Sequence, residues 1–348
     1  MKILHIVAHA HRGGCEKNCY HFIAGSGNYQ HTILVLGEKG PMTTEWERQG
    51  VSIEHLSILQ IGMFAFYKSL KKRLKNLQFD LVICWSTIRL PLQLAALKNI
   101  TKEVRVHLGN PLNHNPLKDL VLHWLFPNKG HIKLMACSNY VANTYSTAPY
   151  YKQFAIQTSL NPIALPPIFP QKQLVEGQFT IGMVARLDPI KDHATVLKAF
   201  EIVSKQMQNV SLHLVGDGVL RNDLEQQVAT MHLSNRVVFH GDVSNVYDYL
   251  NKWDVFVYAT TPSEGLGSVV AEAMANGLPC ILSDLPMLRE LAPVEGLALF
   301  FEAGNAEALA KLLLHLLPNQ AFRASMGAAA YQHAQENFGA KRFVKDYL

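Results

Sequence analysis

The sequence lacks several features that would assign it to a common class. No uncharged apolar run approaches the ~20 residues that a membrane span needs. The five cysteines form no Cys-x-x-Cys pair, which is typical of a reducing cytosol where cysteine serves as a small apolar residue. G-x-G-x-x-G, G-x-S-x-G and P-loop motifs are missing as well. Dinucleotide-binding, serine hydrolase and NTPase functions therefore have no local support.

The net charge and the histidine positions limit the kinds of ligand that the sequence predicts. The formal net charge is only +5, which permits phosphates or lipid head groups and does not favour nucleic acid. His5, His9 and His11 lie close together, but no acidic or cysteine ligand has a matching spacing, so no metal site is predicted. The first residues, "MKILHIVAHAHRGG", contain an apolar run that is too short for a signal peptide. They predict a first β-strand instead. We therefore expect a cytoplasmic protein.

Short apolar strands alternate with helical segments in both halves of the chain. Examples are "HTILVLGE" and "DLVICWS" in the first half and "FTIGMVAR" and "DVFVYATT" in the second. This alternation predicts an α/β fold with two doubly wound parallel sheets, and a cleft between them at the carboxyl ends of the strands. The proline-rich "NPIALPPIFPQKQLVEGQ" predicts the linker. The predicted domains are 1–164 and 165–334, with a helix over 335–348 that returns to the first domain.

The stretch "PSEGLGSVVAEAMANGLPC" contains the residues that point most directly to a ligand. A helix beginning near Ser268 would offer free N–H groups to a phosphate, and Gly265 and Gly267 would let the backbone approach it. Glu264 and Glu272 would flank that phosphate. Two such acceptors suit a diphosphate with hydroxyl groups at both ends, namely a nucleotide sugar. The alternative is structural: Glu264 caps the helix and Glu272 pairs with a nearby cation.

The same stretch, extended to "SEGLGSVVAEAMANGLPCILSD", resembles the E-x7-E signature of the retaining GT-B glycosyltransferases of family 4 (glycosyl transferases group 1). "GMVARLDPIKDHATVLKAF", "HLVGDG" and "VVFHGDV" match that family in order and spacing. The likeness in the first half is weaker and rests on "HRGGCEK" and "FDLVICW", with GGCE where the family often has GGAE. The resemblance implies two Rossmann-like domains facing each other across a cleft, the first binding the acceptor and the second the nucleotide sugar.

The resemblance also implies roles for single residues. Arg186 and Lys191 would contact the diphosphate, because the negative charge that develops on it needs fixed cations. The alternative is that both are ordinary surface cations. Glu264 would bind hydroxyls of the transferred sugar and Glu272 those of the ribose. His107 matches a histidine near that sugar, although packing alone also explains a histidine at a strand end. The catalytic group would be Glu264, Arg186, Lys191 and His107. The remaining positions implied for binding the nucleotide sugar are Gly14, Gly216, Asp217, Val243, Gly265, Leu266, Gly267, Ser268 and Val269.

The function implied by the resemblance is transfer of a sugar from a UDP- or GDP-linked donor to a hydroxyl acceptor, with retention at the anomeric carbon. No protein nucleophile and no divalent metal would be required. Two alternatives stay open. A nucleotide-sugar epimerase would use the same fold, and a non-catalytic nucleotide-sugar-binding module would use the same site. The donor sugar and the base are not readable from the sequence.

The segment 63–78, "MFAFYKSLKKRLKNLQ", combines an apolar stripe with many cations. Leu70, Leu74 and Leu77 fall at helical spacing, and five lysines or arginines flank them. Two interpretations are compatible: a surface helix packed on the sheet by its leucines, and a helix whose cations and aromatic residues face an anionic membrane. The second places the protein on the inner face of the cytoplasmic membrane. It favours a lipid-linked acceptor in synthesis of lipopolysaccharide, O-antigen or capsule.

Overall fold

Seven parallel strands form the sheet of the first structural unit, which comprises Met1–Pro162 and Ala340–Leu348. In chain order they are β1 (Lys2–Val7), β2 (Gln30–Val35), β3 (Ser52–His55), β4 (Leu81–Cys84), β5 (Glu103–Leu108), β6 (His131–Ala136) and β7 (Ala155–Thr158). Across the sheet the order is β3-β2-β1-β4-β5-β6-β7. The structure is a computed structural model and describes residues 1–98, 100–101, 103–112, 121, 124, 131–173 and 175–348.

Helices of the first unit cover this sheet. They include α1 (Gly14–Gly25), α2 (Pro41–Glu47), α3 (Met63–Leu74), α4 (Leu90–Ala96) and α5 (Asn139–Ser146), followed by a 3-10 turn at Tyr151–Gln153. The core beneath α1 contains Phe22, Trp46 and Trp85, all fully buried. The Trp85 indole N–H, which would be costly to bury alone, donates to His5 Nδ1 at 3.1 Å.

The second unit, Ile163–Gly339, repeats the same strand order. Its strands are β8 (Phe179–Val184), β9 (Val210–Val215), β10 (Val237–Gly241), β11 (Val255–Tyr258), β12 (Cys280–Ser283) and β13 (Leu299–Phe301). They are arranged as β10-β9-β8-β11-β12-β13, and neighbouring strands pair in parallel. Its helices include α6 (His193–Gln206), α7 (Arg221–Thr230), α8 (Tyr247–Leu250), α9 (Ser268–Ala275), α10 (Pro286–Leu291), α11 (Ala306–Leu316) and α12 (Gln320–Asn337).

In the first sheet, β2 and β3 lie on one side of β1, and β4 then lies on its other side. The second sheet reverses its direction of strand addition in the same way: β9 and β10 lie on one side of β8, and β11 lies on the other. This reversal defines a doubly wound sheet, and ligands of such sheets bind beyond the strand ends at that point. The fold class predicted from the strand–helix alternation is therefore confirmed: both units are Rossmann-like parallel sheets with helices. β8 and β11 are also the strands that lead into the predicted nucleotide-sugar residues.

The chain crosses from one unit to the other at positions that differ from those predicted. The first crossing lies between Pro162 and Ile163 rather than after residue 164, and the return lies at Ala340 rather than at residue 335. The return is later because α12 runs unbroken to Asn337 within the second unit. The following helix, α13 (Ala340–Tyr347), buries Phe343, Val344 and Tyr347 in the core of the first unit.

Helix α3 is shorter than the predicted segment 63–78. It ends at Leu74 because Lys75 is extended and Asn76 has a φ of 67°. Leu77 therefore lies beyond the helix, and the buried stripe is Phe66, Leu70 and Leu74. Over the ranges that the structure describes, no helix has both the length and the apolar character required to cross a membrane.

Candidate functional site

The loops that follow β8 and β11 are bound to each other at the switch point of the second sheet. The carbonyl of Ile190 accepts hydrogen bonds from the Thr261 N–H and the Thr260 hydroxyl, both at 3.0 Å. The Asp192 N–H donates to the carbonyl of Ala259 at 3.2 Å. These bonds fix the Arg186–Lys191 segment against the segment that contains Glu264, although the two are far apart in sequence.

Lys191 and Glu264 meet in this arrangement. The Lys191 ammonium forms an ion pair with Glu264 Oε2, and only 14% and 11% of the two side chains are exposed. Tyr258, at the end of β11, completes the cluster: its hydroxyl accepts from Lys191 Nζ at 2.8 Å and donates to Glu264 Oε2 at 2.7 Å. Burial lowers the pKa of Lys191 to about 8; Asp188 opposes that shift and Arg186 adds to it. Two of the predicted catalytic residues are thus brought together.

Arg186 lies at the start of the same loop, and 71% of its side chain is exposed. Its Nε donates to Asp188 Oδ2 at 2.5 Å, and Asp188 Oδ1 accepts from the Ile190 N–H at 3.0 Å. Burial alone would raise the pKa of Asp188, but Arg186, this N–H and Lys191 outweigh burial and lower it. Asp188 therefore stays anionic and organises the loop between the two predicted diphosphate ligands.

Helix α9 begins at Ser268, as predicted, with Gly267 before it in a left-handed conformation at a φ of 78°. Leu266 and Gly265 are buried, and Val269 is half-buried. The N-cap residue, Gly267, provides no side-chain cap. Glu264 Oε1 accepts from the Gly265 N–H at 3.0 Å, ahead of the helix, and the capping role considered for Glu264 stays an alternative.

Glu272 lies one turn into α9 and is buried, with 8% exposure. The pKa of the Tyr247 phenol, on α8, is raised mainly by burial and further by the charge of Glu272. Tyr247 in turn donates to the carbonyl of Ala164 at 2.6 Å. The predicted ribose ligand therefore faces a polar, partly enclosed environment. Val243, the position expected to read the base, lies half-buried between β10 and α8.

The turn formed by Gly216, Asp217 and Gly218 is built onto the Arg186 loop. Gly216 has a φ of 129°, and its N–H donates to the carbonyl of Gly241 at 2.8 Å. The Asp217 carbonyl accepts from the Leu187 N–H at 3.0 Å. A Cβ at Gly216 would collide with the carbonyl of Ala185. Glycine is thus required here by both conformation and space.

The two predicted residues of the first unit lie in that unit's own sheet and helix. Gly14 is the first residue of α1, and a Cβ there would meet no atom within 4 Å. His107, in β5, is buried: its Nδ1 lies 2.7 Å from the Tyr347 hydroxyl and its Nε2 lies 3.2 Å from the Asn18 amide nitrogen. Burial lowers its pKa to about 4.

These contacts determine the tautomer of His107. Because Asn18 donates to Nε2, the neutral ring carries its proton on Nδ1, which is engaged with Tyr347. The imidazole has no further N–H for a sugar hydroxyl in this geometry. That His107 lies near the transferred sugar stays a prediction. Sequence reasoning also missed Tyr258, whose one available indication was a phenol at the carboxyl end of an otherwise apolar strand.

No site for a resident metal emerges from the described part of the chain, which contains no group of three or more His, Cys, Asp or Glu side chains that could hold an ion. Lys191, Arg186 and the start of α9 lie on the loops after β8 and β11, and these groups are chemically suited to a phosphate.

Comparisons with known proteins agree with this geometry. Residues 166–333 match the family described as glycosyl transferases group 1. EpsF of Bacillus subtilis, a putative glycosyltransferase, is 31% identical over 176 residues, which is 48% of this chain and 44% of that protein. The lipopolysaccharide core biosynthesis glycosyltransferase LpsD of Rhizobium meliloti is 32% identical over 170 residues, 49% of this chain and 48% of that protein. The chain thus spans about half the length of these curated relatives.

The likeness to solved structures extends over the whole chain. The crystal structure of Anabaena HepE in complex with UDP-glucose matches with a TM-score of 0.82, covering 100% of this chain and 98% of that one, at 18% identity. At that identity the match establishes the fold, and with the strand orders above it confirms the predicted GT-B class. The chain therefore has the GT-B fold, and its residues 166–333 match the glycosyl transferases group 1 family.

Proposed function

We propose that this protein is a retaining glycosyltransferase that moves a sugar from a nucleotide-sugar donor to a hydroxyl acceptor. The observation that carries the proposal is the buried Lys191–Glu264 pair at the switch point of the second sheet, beside the start of α9. A cation, a carboxylate and the N–H groups at a helix start, all at one strand edge, suit the diphosphate and the sugar of a single ligand. The match of residues 166–333 to glycosyl transferases group 1 supports the same assignment.

Each residue would have a distinct task. Lys191 and Arg186 would neutralise the diphosphate, and the N–H groups of Gly267, Ser268 and Val269 would hold its distal phosphate. Glu264 would accept hydrogen bonds from hydroxyls of the transferred sugar, and Glu272 from those of the ribose. With these cations fixed in place, no divalent metal is required for the departing charge.

The reaction would proceed without a protein nucleophile. The bond from the anomeric carbon to the diphosphate oxygen breaks with both electrons going to that oxygen. The acceptor oxygen then bonds to the same face of the carbon through an oxocarbenium-like state. The acceptor proton passes to the departing phosphate oxygen. Catalysis would rest on positioning and on charge stabilisation by Lys191 and Arg186.

The acceptor we propose is a saccharide or a lipid-linked saccharide of an envelope polysaccharide. The similarity to LpsD, a glycosyltransferase of lipopolysaccharide core biosynthesis, supports this class. Helix α3 supports contact with an anionic membrane, because Phe64 is 76% exposed and Lys68, Lys71 and Lys72 are also exposed. Phe66, Leu70 and Leu74 pack inward, so the packing and membrane interpretations of this helix are compatible.

A panel of UDP- and GDP-linked sugars tests the proposal. We expect one donor to be hydrolysed slowly alone and consumed faster with a saccharide acceptor, at an unchanged rate in EDTA. Proton NMR of the product should show the anomeric configuration of the donor. An epimerised sugar nucleotide formed without acceptor would indicate an epimerase instead. Binding without any turnover would indicate a non-catalytic module.

A further inference from the structure

We propose that Tyr258 is a positioning residue of this site, whose hydroxyl holds Lys191 and Glu264 in a fixed mutual geometry. The inference rests on the proposed function only for the identity of the ligand that the pair binds. Tyr258 does not belong to the E-x7-E stretch or to the Arg186–Lys191 segment, and its role follows from the contacts of its side chain alone.

The Tyr258 hydroxyl uses both of its hydrogen-bonding capacities. It accepts from Lys191 Nζ at 2.8 Å and donates its single proton to Glu264 Oε2 at 2.7 Å. Both partners are charged, so each bond is of the stronger, charge-assisted type. A phenylalanine ring would occupy the same space and make neither bond.

The ring that carries this hydroxyl is itself held rigidly. Tyr258 is 2% exposed and lies nearly parallel to Phe256, with an angle of 12° and ring centroids 6.3 Å apart. A Cβ on Gly267 would lie 2.9 Å from Tyr258 Cε1, so the ring lies directly against the residue that precedes α9. The hydroxyl is therefore fixed relative to the helix start as well as to both charges.

This arrangement has a consequence for ligand binding. Without ligand, Lys191 and Glu264 compensate each other's charge in a site where an unpaired ion would be costly. An incoming diphosphate competes for Lys191 and would leave Glu264 without its cation. Tyr258 remains bonded to Glu264 during this exchange, and it keeps the carboxylate oriented for the sugar.

Tyr258→Phe tests the proposal in the ligand-free protein. The charged or titratable groups around Lys191 are Arg186, Asp188, His193, Tyr258 and Glu264. Because the hydroxyl accepts from the protonated amine, its removal should shift the Lys191 titration to lower pH. The measurement is an NMR titration of isotope-labelled lysine side chains, with the Lys191 resonance identified from Lys191→Arg. An unchanged titration in the folded variant would overturn the proposal.

The matched control is Tyr331→Phe on α12, where the tyrosine ring contacts Phe169 at 4.9 Å between centroids. It removes a phenol from the same unit and should leave Lys191 unaffected. If the control shifts Lys191 as much as Tyr258→Phe does, the effect is not specific to this hydroxyl and the proposal fails.

A kinetic arm separates this proposal from the proposed function. For Tyr258→Phe, kcat/KM for the nucleotide sugar should fall about tenfold, the effect of one charge-assisted hydrogen bond. The alkaline limb of its pH profile should move to lower pH, which loss of packing alone would not cause. If Tyr258→Phe has wild-type kinetics and the alkaline limb of its pH profile does not move, Tyr258 is not a positioning residue. A Lys191 shift in a protein that turns over no nucleotide sugar would uphold positioning and refute the glycosyltransferase assignment.

Discussion

Lys191 and Glu264 form a buried ion pair across 73 positions of sequence, at the point where the second sheet reverses its direction of strand addition. Neither the strand–helix pattern nor the E-x7-E spacing requires these two side chains to touch. The contact arises because Ile190 binds Thr260 and Thr261 and thereby joins the two loops.

Removing either charge should abolish donor use. For Lys191→Ala and Glu264→Gln we expect kcat/KM to fall by at least about 100-fold, because each removes a preorganised group from a site of low exposure. Initial rates with the donor found in the panel provide the measurement. Lys205→Ala on α6 is the matched control, since Lys205 is 69% exposed and pairs only with Glu201 among the ion pairs described. Near-normal rates in either site variant would contradict the assignment.

Binding of the nucleoside diphosphate of the donor found in the panel should take up a proton near pH 8. The pKa of Lys191 is about 8 in the free protein, and a bound diphosphate raises it by favouring the charged amine. Affinity should therefore fall as the pH rises through 8. Calorimetry in two buffers of different ionisation enthalpy should detect an uptake of roughly half a proton at pH 8. Lys191→Arg, which stays charged, should show none; equal uptake in both proteins would exclude Lys191 as the group responsible.

Two glycines of similar backbone conformation should respond differently to alanine. Gly267 and Gly304 have φ values of 78° and 83°, but only at Gly267 would a Cβ meet close neighbours, Tyr258 and Leu288. Gly304→Ala should cost about 1–2 kcal/mol of unfolding free energy from conformation alone. Gly267→Ala should cost more and also weaken binding of the nucleoside diphosphate, because it displaces the start of α9. Urea unfolding and titration of both variants with the nucleoside diphosphate of the donor found in the panel test this; equal losses would show that space at Gly267 is not limiting.

Helix α3 should bind anionic vesicles through its exposed face. Replacing Lys71 and Lys72 by glutamine should weaken partitioning to phosphatidylglycerol vesicles roughly 10- to 30-fold, at about 1 kcal/mol per cation near the surface. Phe64→Ser should weaken it further by removing an exposed apolar side chain. Vesicle sedimentation at low and high salt measures the effect.

The matched control for the membrane prediction replaces Lys198 and Lys205 of α6, both exposed, by glutamine. This variant has the same net charge as the double variant of α3. Equal losses in the two variants would mean that binding depends on overall charge and not on this helix.

Acid should destabilise the protein partly through His107. Its pKa is lowered from about 6.5 unfolded to about 4 folded, so the unfolded state binds the extra proton between these values. The contribution of His107 to the free energy of unfolding is complete above about pH 6.5 and falls progressively towards pH 4. It amounts to about 3 kcal/mol at most. Comparison of urea midpoints at pH 7 and pH 5 should show a smaller acid loss for His107→Gln than for wild type. His131→Gln, at an exposed position, should leave the acid loss unchanged.

The elements that the sequence predicted best are those whose residues follow a local pattern of apolar residues or turn residues. Strands such as Val255–Tyr258 are buried on both faces, so they appear as continuous apolar runs. The start of α9 at Ser268 follows from its glycine-rich turn. By contrast, the end of α3 depends on the conformation of two residues, Lys75 and Asn76, which periodicity does not encode.

Side-chain partners remote in sequence were beyond prediction. His107 matched a family position, yet its protonation is set by Asn18 and Tyr347, which lie 89 and 240 positions away. Tyr258 acquires its role from Lys191, 67 positions away. Residue type and spacing identified the chemical groups of the site, whereas the hydrogen bonds that orient them depend on tertiary structure.

Helix α13 affects the order in which the protein completes its folding during translation. The core of the first unit contains Phe343 and Tyr347, which emerge from the ribosome only after the whole stretch Ile163–Gly339. That stretch takes roughly 10 to 35 s to synthesise at about 5–20 residues per second. Throughout this interval the nascent first unit exposes the surface around Phe22 and Trp85 that α13 later covers. The first unit therefore cannot complete its core until the second unit has been translated.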